Sequence, residues 1–120
     1  MVIAISAQGN DLQGQVDPRF GRAKHFLLVD TETMGFEVVR NEQNFSLPQG
    51  AGIQAAQVVT NHQAEVVITG NCGPKAFKTL EAAGIKVVVG VSGSIEDAIQ
   101  AYLRGEFEHA KDANVEGHWG

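Results

Sequence analysis

The chain has 120 residues, 43% of them hydrophobic and 19% charged, and its formal net charge is −5. That is one globular domain with a core of its own, and the acidic balance excludes a nucleic-acid binder working through a broadly basic surface, though not a local basic patch. A single cysteine, Cys72, excludes an internal disulfide framework, and no apolar run approaches the length of a membrane span.

Val2–Ser6 reads as a short buried strand, entered from Met1 without a basic leader, so the cytosol is the expected address. Residues 7–23 form a long loop rich in Gly, Gln and Asp. Lys24–Asp30 is a second strand, 31–35 a turn, and Phe36–Asn41 the other arm of a hairpin. A loop over 42–50 ends in Pro48, Gln49 and Gly50. The spacing then predicts a helix over 51–61 with Ile53, Ala56 and Val59 on its buried edge. Glu65–Thr69 is a strand. Pro74 suits the first turn of a helix that buries Ala76, Phe77, Leu80 and Ala83 and stops at Gly84. Lys86–Val91 is the last strand. Ser94, Ile95, Glu96 and Asp97 fit a capping box for a helix with Ile95, Ala98, Ile99, Tyr102 and Leu103 inward, ended by Gly105. The expected domain spans 1–105, and 106–120 read as a polar tail. A hairpin followed by βα units implies an α/β fold: one mixed five-stranded sheet flanked by helices, in order 3-2-1-4-5 with the second strand antiparallel.

That topology brings the loops 7–23, 42–52, 70–73 and 92–94 to the carboxyl edge of the sheet, where open α/β sheets hold ligands. Three features of this rim carry chemistry. Arg19, Phe20, Gly21, Arg22, Ala23, Lys24 and His25 concentrate positive charge in an acidic chain, and guanidinium forks bind anions with directed donors. The alternative is a solvated loop paired with nearby acids. Thr69, Gly70, Asn71, Cys72, Gly73, Pro74 and Lys75 run from a strand through a glycine turn into a helix N-terminus, which favours negative charge. The alternative is an ordinary βα connection, and the spacing is not that of a nucleotide-binding Walker A loop. Cys72 is placed where a thiolate is favoured, and is open to three roles: soft-metal ligand, nucleophile or turn filler. One cysteine does not hold a cluster by four thiolates from one chain. Gly50, Ala51 and Gly52 start a helix at the same rim and allow close backbone approach. His62, His109 and His118 show no metal-ligand spacing. The strands lack the acids of a two-metal nuclease, no Ser-His-Asp arrangement is legible, and no G-x-S-x-G elbow occurs.

Four pieces, in order, resemble the dinitrogenase iron–molybdenum cofactor biosynthesis family (NifX/NifY type). They are Ile3-Ala4-Ile5, Arg19-Phe20-Gly21-Arg22-Ala23, Gly50-Ala51-Gly52-Ile53-Gln54-Ala55-Ala56 and Thr69-Gly70-Asn71-Cys72-Gly73-Pro74-Lys75-Ala76-Phe77. The resemblance covers residues 1–105 and is closest to the orange-protein branch, known for a noncovalently held molybdenum–copper sulfide cluster. It implies a ribonuclease H-like fold and a non-catalytic carrier of an anionic metal–sulfur cluster: iron–sulfur, molybdenum–iron–sulfur or molybdenum–copper sulfide. Cluster donor or acceptor proteins are the implied partners, with no nucleic acid and no membrane. Many family members carry a histidine where this chain has Arg19, so charge-assisted anion binding is expected there in place of metal ligation. Arg19, Arg22, Lys24 and backbone amides form the expected rim, with Phe20 as an apolar floor. Two other classes stay open: a regulatory protein-interaction module and an enzyme using Cys72 as nucleophile.

Overall fold

The structure is a computed structural model and describes residues 1–45, 47 and 50–115. Strands β1 (Val2–Ala7), β2 (His25–Asp30) and β3 (Phe36–Arg40) are followed by a short helix α1 (Glu42–Phe45) and by α2 (Ala51–Asn61). Then come β4 (Val66–Ile68), α3 (Pro74–Ala82), β5 (Lys86–Val88) and α4 (Ile95–Leu103). The five-stranded sheet has the order β3-β2-β1-β4-β5. Only β2 runs against the others: it is antiparallel to β1 and β3, while β1, β4 and β5 are parallel. This is the order 3-2-1-4-5 with an antiparallel second strand that the sequence implied.

Alternation along the strands sorts the core into two layers. In β1, Ala4 faces one side with Phe26, Leu28, Val67 and Val87, against Ala55, Ala56 and Val59 of α2 and Ala76, Phe77 and Leu80 of α3. Ile3 and Ile5 face the other side with Leu27, Val29 and Ile68, against Ile95, Ala98 and Ile99 of α4. Each fully buried Ile, Leu or Phe contributes about 1.5–3 kcal/mol. The register pairs Ile5 with both Leu27 and Ile68. A one-residue slip would turn every one of these side chains to the wrong layer.

Local chemistry closes the elements as the residues dictate. The Ser94 hydroxyl accepts the Asp97 N–H at 3.1 Å, as a capping box requires. Pro74 stands in the first turn of α3. Gly50 precedes α2 with φ 81°, a left-handed conformation that favours glycine.

Several expectations are corrected. A turn of helix, α1, stands inside the expected loop 42–50, because the buried Asn41 side chain donates to the carbonyls of Gly21 and Ala23 at 3.1 and 2.8 Å and accepts from Asn44 at 2.9 Å. The end of that loop at Pro48 and Gln49 lies outside the described residues, as do Glu116, His118 and Trp119. β5 stops at Val88, since Gly90 takes a positive φ of 77°. Ile53 is only half-buried, because Ala51, Ala55, Ala56 and Val59 set the buried face of α2. Ala83 falls after the last turn of α3 and is exposed, and Leu103 ends α4 with 44% of its surface exposed.

Residues 107–114 do not hang free of the domain. The Ala110 N–H donates to the Val87 carbonyl at 2.7 Å along the outer edge of β5, and Asn114 reaches the 70–73 loop.

Candidate anion site at the carboxyl edge of the sheet

The rim begins with a buried hydroxyl pair between the two central strands. Ser6, at the end of β1, and Thr69, just past β4, lie 2.7 Å apart at their oxygens. The Ser6 hydroxyl also donates to the Asp17 carbonyl at 2.8 Å, so the shared proton of the pair comes from Thr69. The Asp17 N–H donates to the Ser6 carbonyl at 2.8 Å. The long first loop is thereby pinned to the sheet just before Arg19.

Asp17 is 5% exposed. Burial pushes its carboxyl above the ordinary carboxylate range, opposed by the Arg19 N–H at 2.9 Å and by the Arg19 guanidinium, whose Nε lies 3.8 Å away. The next contact needs a glycine. A Cβ on Gly70 would stand 2.7 Å from Pro18 Cα and 2.9 Å from its carbonyl oxygen. Through that gap the Phe20 N–H donates to the Asn71 carbonyl at 3.1 Å, and the Asn71 side chain donates to the Pro18 carbonyl at 2.8 Å. Arg19 and Asn71 are bridged as strand neighbours. The arginine loop and the glycine turn, far apart in sequence, are one surface.

The predicted residues divide by exposure. Arg19 and Arg22 are half-buried and Lys24 is exposed, all on this rim. Arg22 donates from Nη1 to the Leu47 carbonyl at 2.8 Å, tying its loop to the one before α2. Gly50 is exposed at the start of α2, with Ala51 and Gly52 buried beside it. Asn71 and Pro74 are half-buried, Gly73 is buried and Lys75 is exposed. Gly21 is buried, its carbonyl accepting from Asn41.

Two expectations about this site are overturned. Phe20 has no exposed surface: its ring lies 5.1 Å from that of Phe26, inside the core, so it supports the arginine loop from beneath and offers a ligand no floor. Cys72 is likewise 0% exposed among the core residues, and its thiol contacts the Gly73 carbonyl at 3.7 Å. Burial pushes the thiol up to about 12, the reverse of the activated thiolate expected at a helix N-terminus. The helix dipole is outweighed because Sγ points down into apolar packing.

Two residues of the rim were not singled out. Arg40 ends β3 opposite His25 in the register, adding a cation to the same edge. Only the strand pairing reveals it. Asn114 binds the 70–73 loop, accepting the Cys72 N–H at 2.8 Å. No local signal marks an asparagine in a polar run as a rim residue.

Among the described residues no group of three His, Cys, Asp or Glu side chains could hold a metal ion. The donor set of this edge is guanidinium, ammonium and backbone N–H, which suits an anion that carries its own sulfide ligands. A cavity of about 250 Å³ lined by Val2, Leu28, Asp30, Phe36 and His62 opens at the opposite edge of the sheet, away from these donors. No helix among the described residues is long and apolar enough to cross a membrane.

The fold and sequence of this chain recur in known proteins. The orange protein of Desulfovibrio gigas, solved in its apo form, is 47% identical and superposes with a TM-score of 0.93, over 95% of this chain and 96% of that one. The solution structure of a Thermotoga protein, provisionally named a NifB protein, is 36% identical with a TM-score of 0.82, over 97% and 98% of the two chains. An uncharacterised protein of Methanocaldococcus jannaschii is 30% identical over 111 residues, 90% of each chain. The profile of the dinitrogenase iron-molybdenum cofactor family matches residues 1–105, and the chain belongs to that family.

Proposed function

We propose that this protein is a non-catalytic carrier that holds an anionic metal–sulfur cluster on the carboxyl edge of its sheet, for assembly, storage or delivery to a partner protein. The observation that carries this reading is the close junction of Pro18 with Gly70. It sets Arg19 beside Asn71 and joins the cationic loop to the N-terminal turn of α3 on a chain of net charge −5. A sulfide-rich anion is large and soft, and is held by forked guanidinium donors and backbone N–H groups without protein thiolates. Among the cluster classes expected, molybdenum–copper sulfide is favoured by the 47% identity to the orange protein. A nucleophilic role for Cys72 has no support from a buried thiol pushed up to about 12.

Anaerobic titration with tetrathiomolybdate and copper(I) tests the reading. New charge-transfer bands should stay with the protein through gel filtration, and Arg19→Ala and Arg22→Ala should each weaken binding by about 1–3 kcal/mol, the range for charged hydrogen bonds. Absorbance that elutes wholly with small molecules, or affinity unchanged in both variants with the fold intact, overturns it.

A further inference from the structure

The polar segment after α4 ends its described course on the glycine turn. The Asn114 carboxamide oxygen accepts the Cys72 N–H at 2.8 Å, and its Nδ2 donates to the Gly70 carbonyl at 3.2 Å and to Asn71 Oδ1 at 3.1 Å. The Asn114 N–H donates back to the Cys72 carbonyl at 3.2 Å. One residue thus grips three consecutive positions of the turn. The oxygen stands at a backbone N–H just before a helix N-terminus, where an anion would be received. Asn71 passes the contact on, since its own Nδ2 holds Pro18, next to Arg19.

The rest of the segment is lightly anchored. Ala110 makes one backbone bond to Val87, and Ala110 and Ala113 pack part-buried on the core layer that contains Cys72. His109 Nε2 meets the Tyr102 hydroxyl at 2.8 Å on the surface. Phe107 packs part-buried on the other core layer and anchors the start of the segment, while beyond it small side chains and a handful of peripheral hydrogen bonds describe a unit that opens before the domain does.

We propose that residues 108–114, beyond the Phe107 anchor, are a strap whose Asn114 carboxamide occupies the anion's place at the Cys72 N–H, so that cargo binds this turn only when the strap lets go. The inference rests on the anion-carrier reading and adds a regulation of that site. A ligand that binds only the open form has its affinity lowered by the fraction of molecules that are open. Loading therefore displaces the strap, and a partner that presses the strap back expels the cargo.

The test uses the full chain and two variants. Asn114→Ala removes the side-chain grip. Ala110→Pro removes the N–H that holds the strap to β5, and touches no rim residue. Without ligand, hydrogen exchange of the Cys72 amide should be about tenfold faster or more in both variants, because each loses the Asn114 acceptor of that N–H, one by deletion and one by opening. Tetrathiomolybdate with copper(I) should bind both variants several-fold more tightly than wild type. In wild type, saturation should move the amide resonances of Cys72 and Ala110 and the Asn114 side-chain pair. Equal amide exchange, or binding equal to or weaker than wild type in both variants, overturns the strap while leaving the carrier reading intact. No binding by wild type or by either variant sinks the carrier reading, and the competition with it.

Discussion

Replacing Gly70 by alanine tests whether the two halves of the rim act as one. An ideal Cβ there would lie 2.7, 2.9 and 3.1 Å from Pro18 Cα, O and C, all backbone atoms that cannot rotate aside. Ordinary contact needs about 3.5–4.0 Å, so the arginine loop must move off the turn by roughly 1 Å. That shift stretches the bonds of Phe20 N–H to Asn71 O, now 3.1 Å, and of Asn71 Nδ2 to Pro18 O, now 2.8 Å. Overpacking of this kind costs about 1–3 kcal/mol, and each weakened bond adds about 0.5–1.5 kcal/mol at most. A chain of this size loses about 4 °C of Tm per kcal/mol, so calorimetry should record a fall of about 4–24 °C. Because Arg19 moves with the loop, tetrathiomolybdate affinity should drop about 10- to 100-fold, the equivalent of one charged hydrogen bond. Gly9→Ala is the control: its Cβ would meet nothing nearer than 3.9 Å, and it should change Tm by no more than about 0.5 kcal/mol allows. If Gly70→Ala matches Gly9→Ala in both Tm and affinity, the loops are not coupled and the site is not built as described.

Alkylation of Cys72 by iodoacetamide should rise with pH toward about 12, and a rate that levels off near pH 8 would contradict the buried thiol. The same shift has a stability consequence with a definite sign. The folded-state thiol is raised from 9.0 to about 12, so its contribution is fully present below pH 9 and is lost as pH rises toward 12, measurable by denaturant unfolding across that window. Cys72→Ser should retain most of the bound metal in side-by-side anaerobic reconstitution, because the thiol faces the core; loss of nearly all metal would make it a ligand. Asp17→Asn keeps an acceptor for the Arg19 N–H and removes a buried charge facing the guanidinium, so anion affinity should rise several-fold; a fall would show that Asp17 positions Arg19 for the ligand. Asp17 is raised by burial, so its contribution fades as pH climbs through and above the ordinary carboxylate range, and the Asp17→Asn stability profile should be flatter there.

The strands and long helices were legible because their causes are local. Continuous runs such as Val66-Val67-Ile68 can be satisfied only in a sheet covered on both faces, and the Ser94–Asp97 box declares its helix within four residues. Strand order followed from the hairpin and the handedness of the crossovers, and with it the single rim that receives Arg19, Arg22, Lys24 and the glycine turn. The boundaries were less legible. Gly90 cut β5 short through its backbone angle, and the buried Asn41 built α1 through bonds to Gly21 and Ala23.

What only the tertiary structure decided is the exposure and partnering of side chains at the rim. Phe20 and Cys72 occupy motif positions that read as ligand-facing, yet both point into the core, because the direction of a side chain at a loop depends on what packs beneath it. The need for glycine at position 70 comes from Pro18, more than fifty residues earlier, and the grip on Cys72 comes from Asn114, 42 residues later. Such contacts leave no periodicity and no spacing in the chain. Their free energy resides in a pair of surfaces that exist only once the sheet has brought them together.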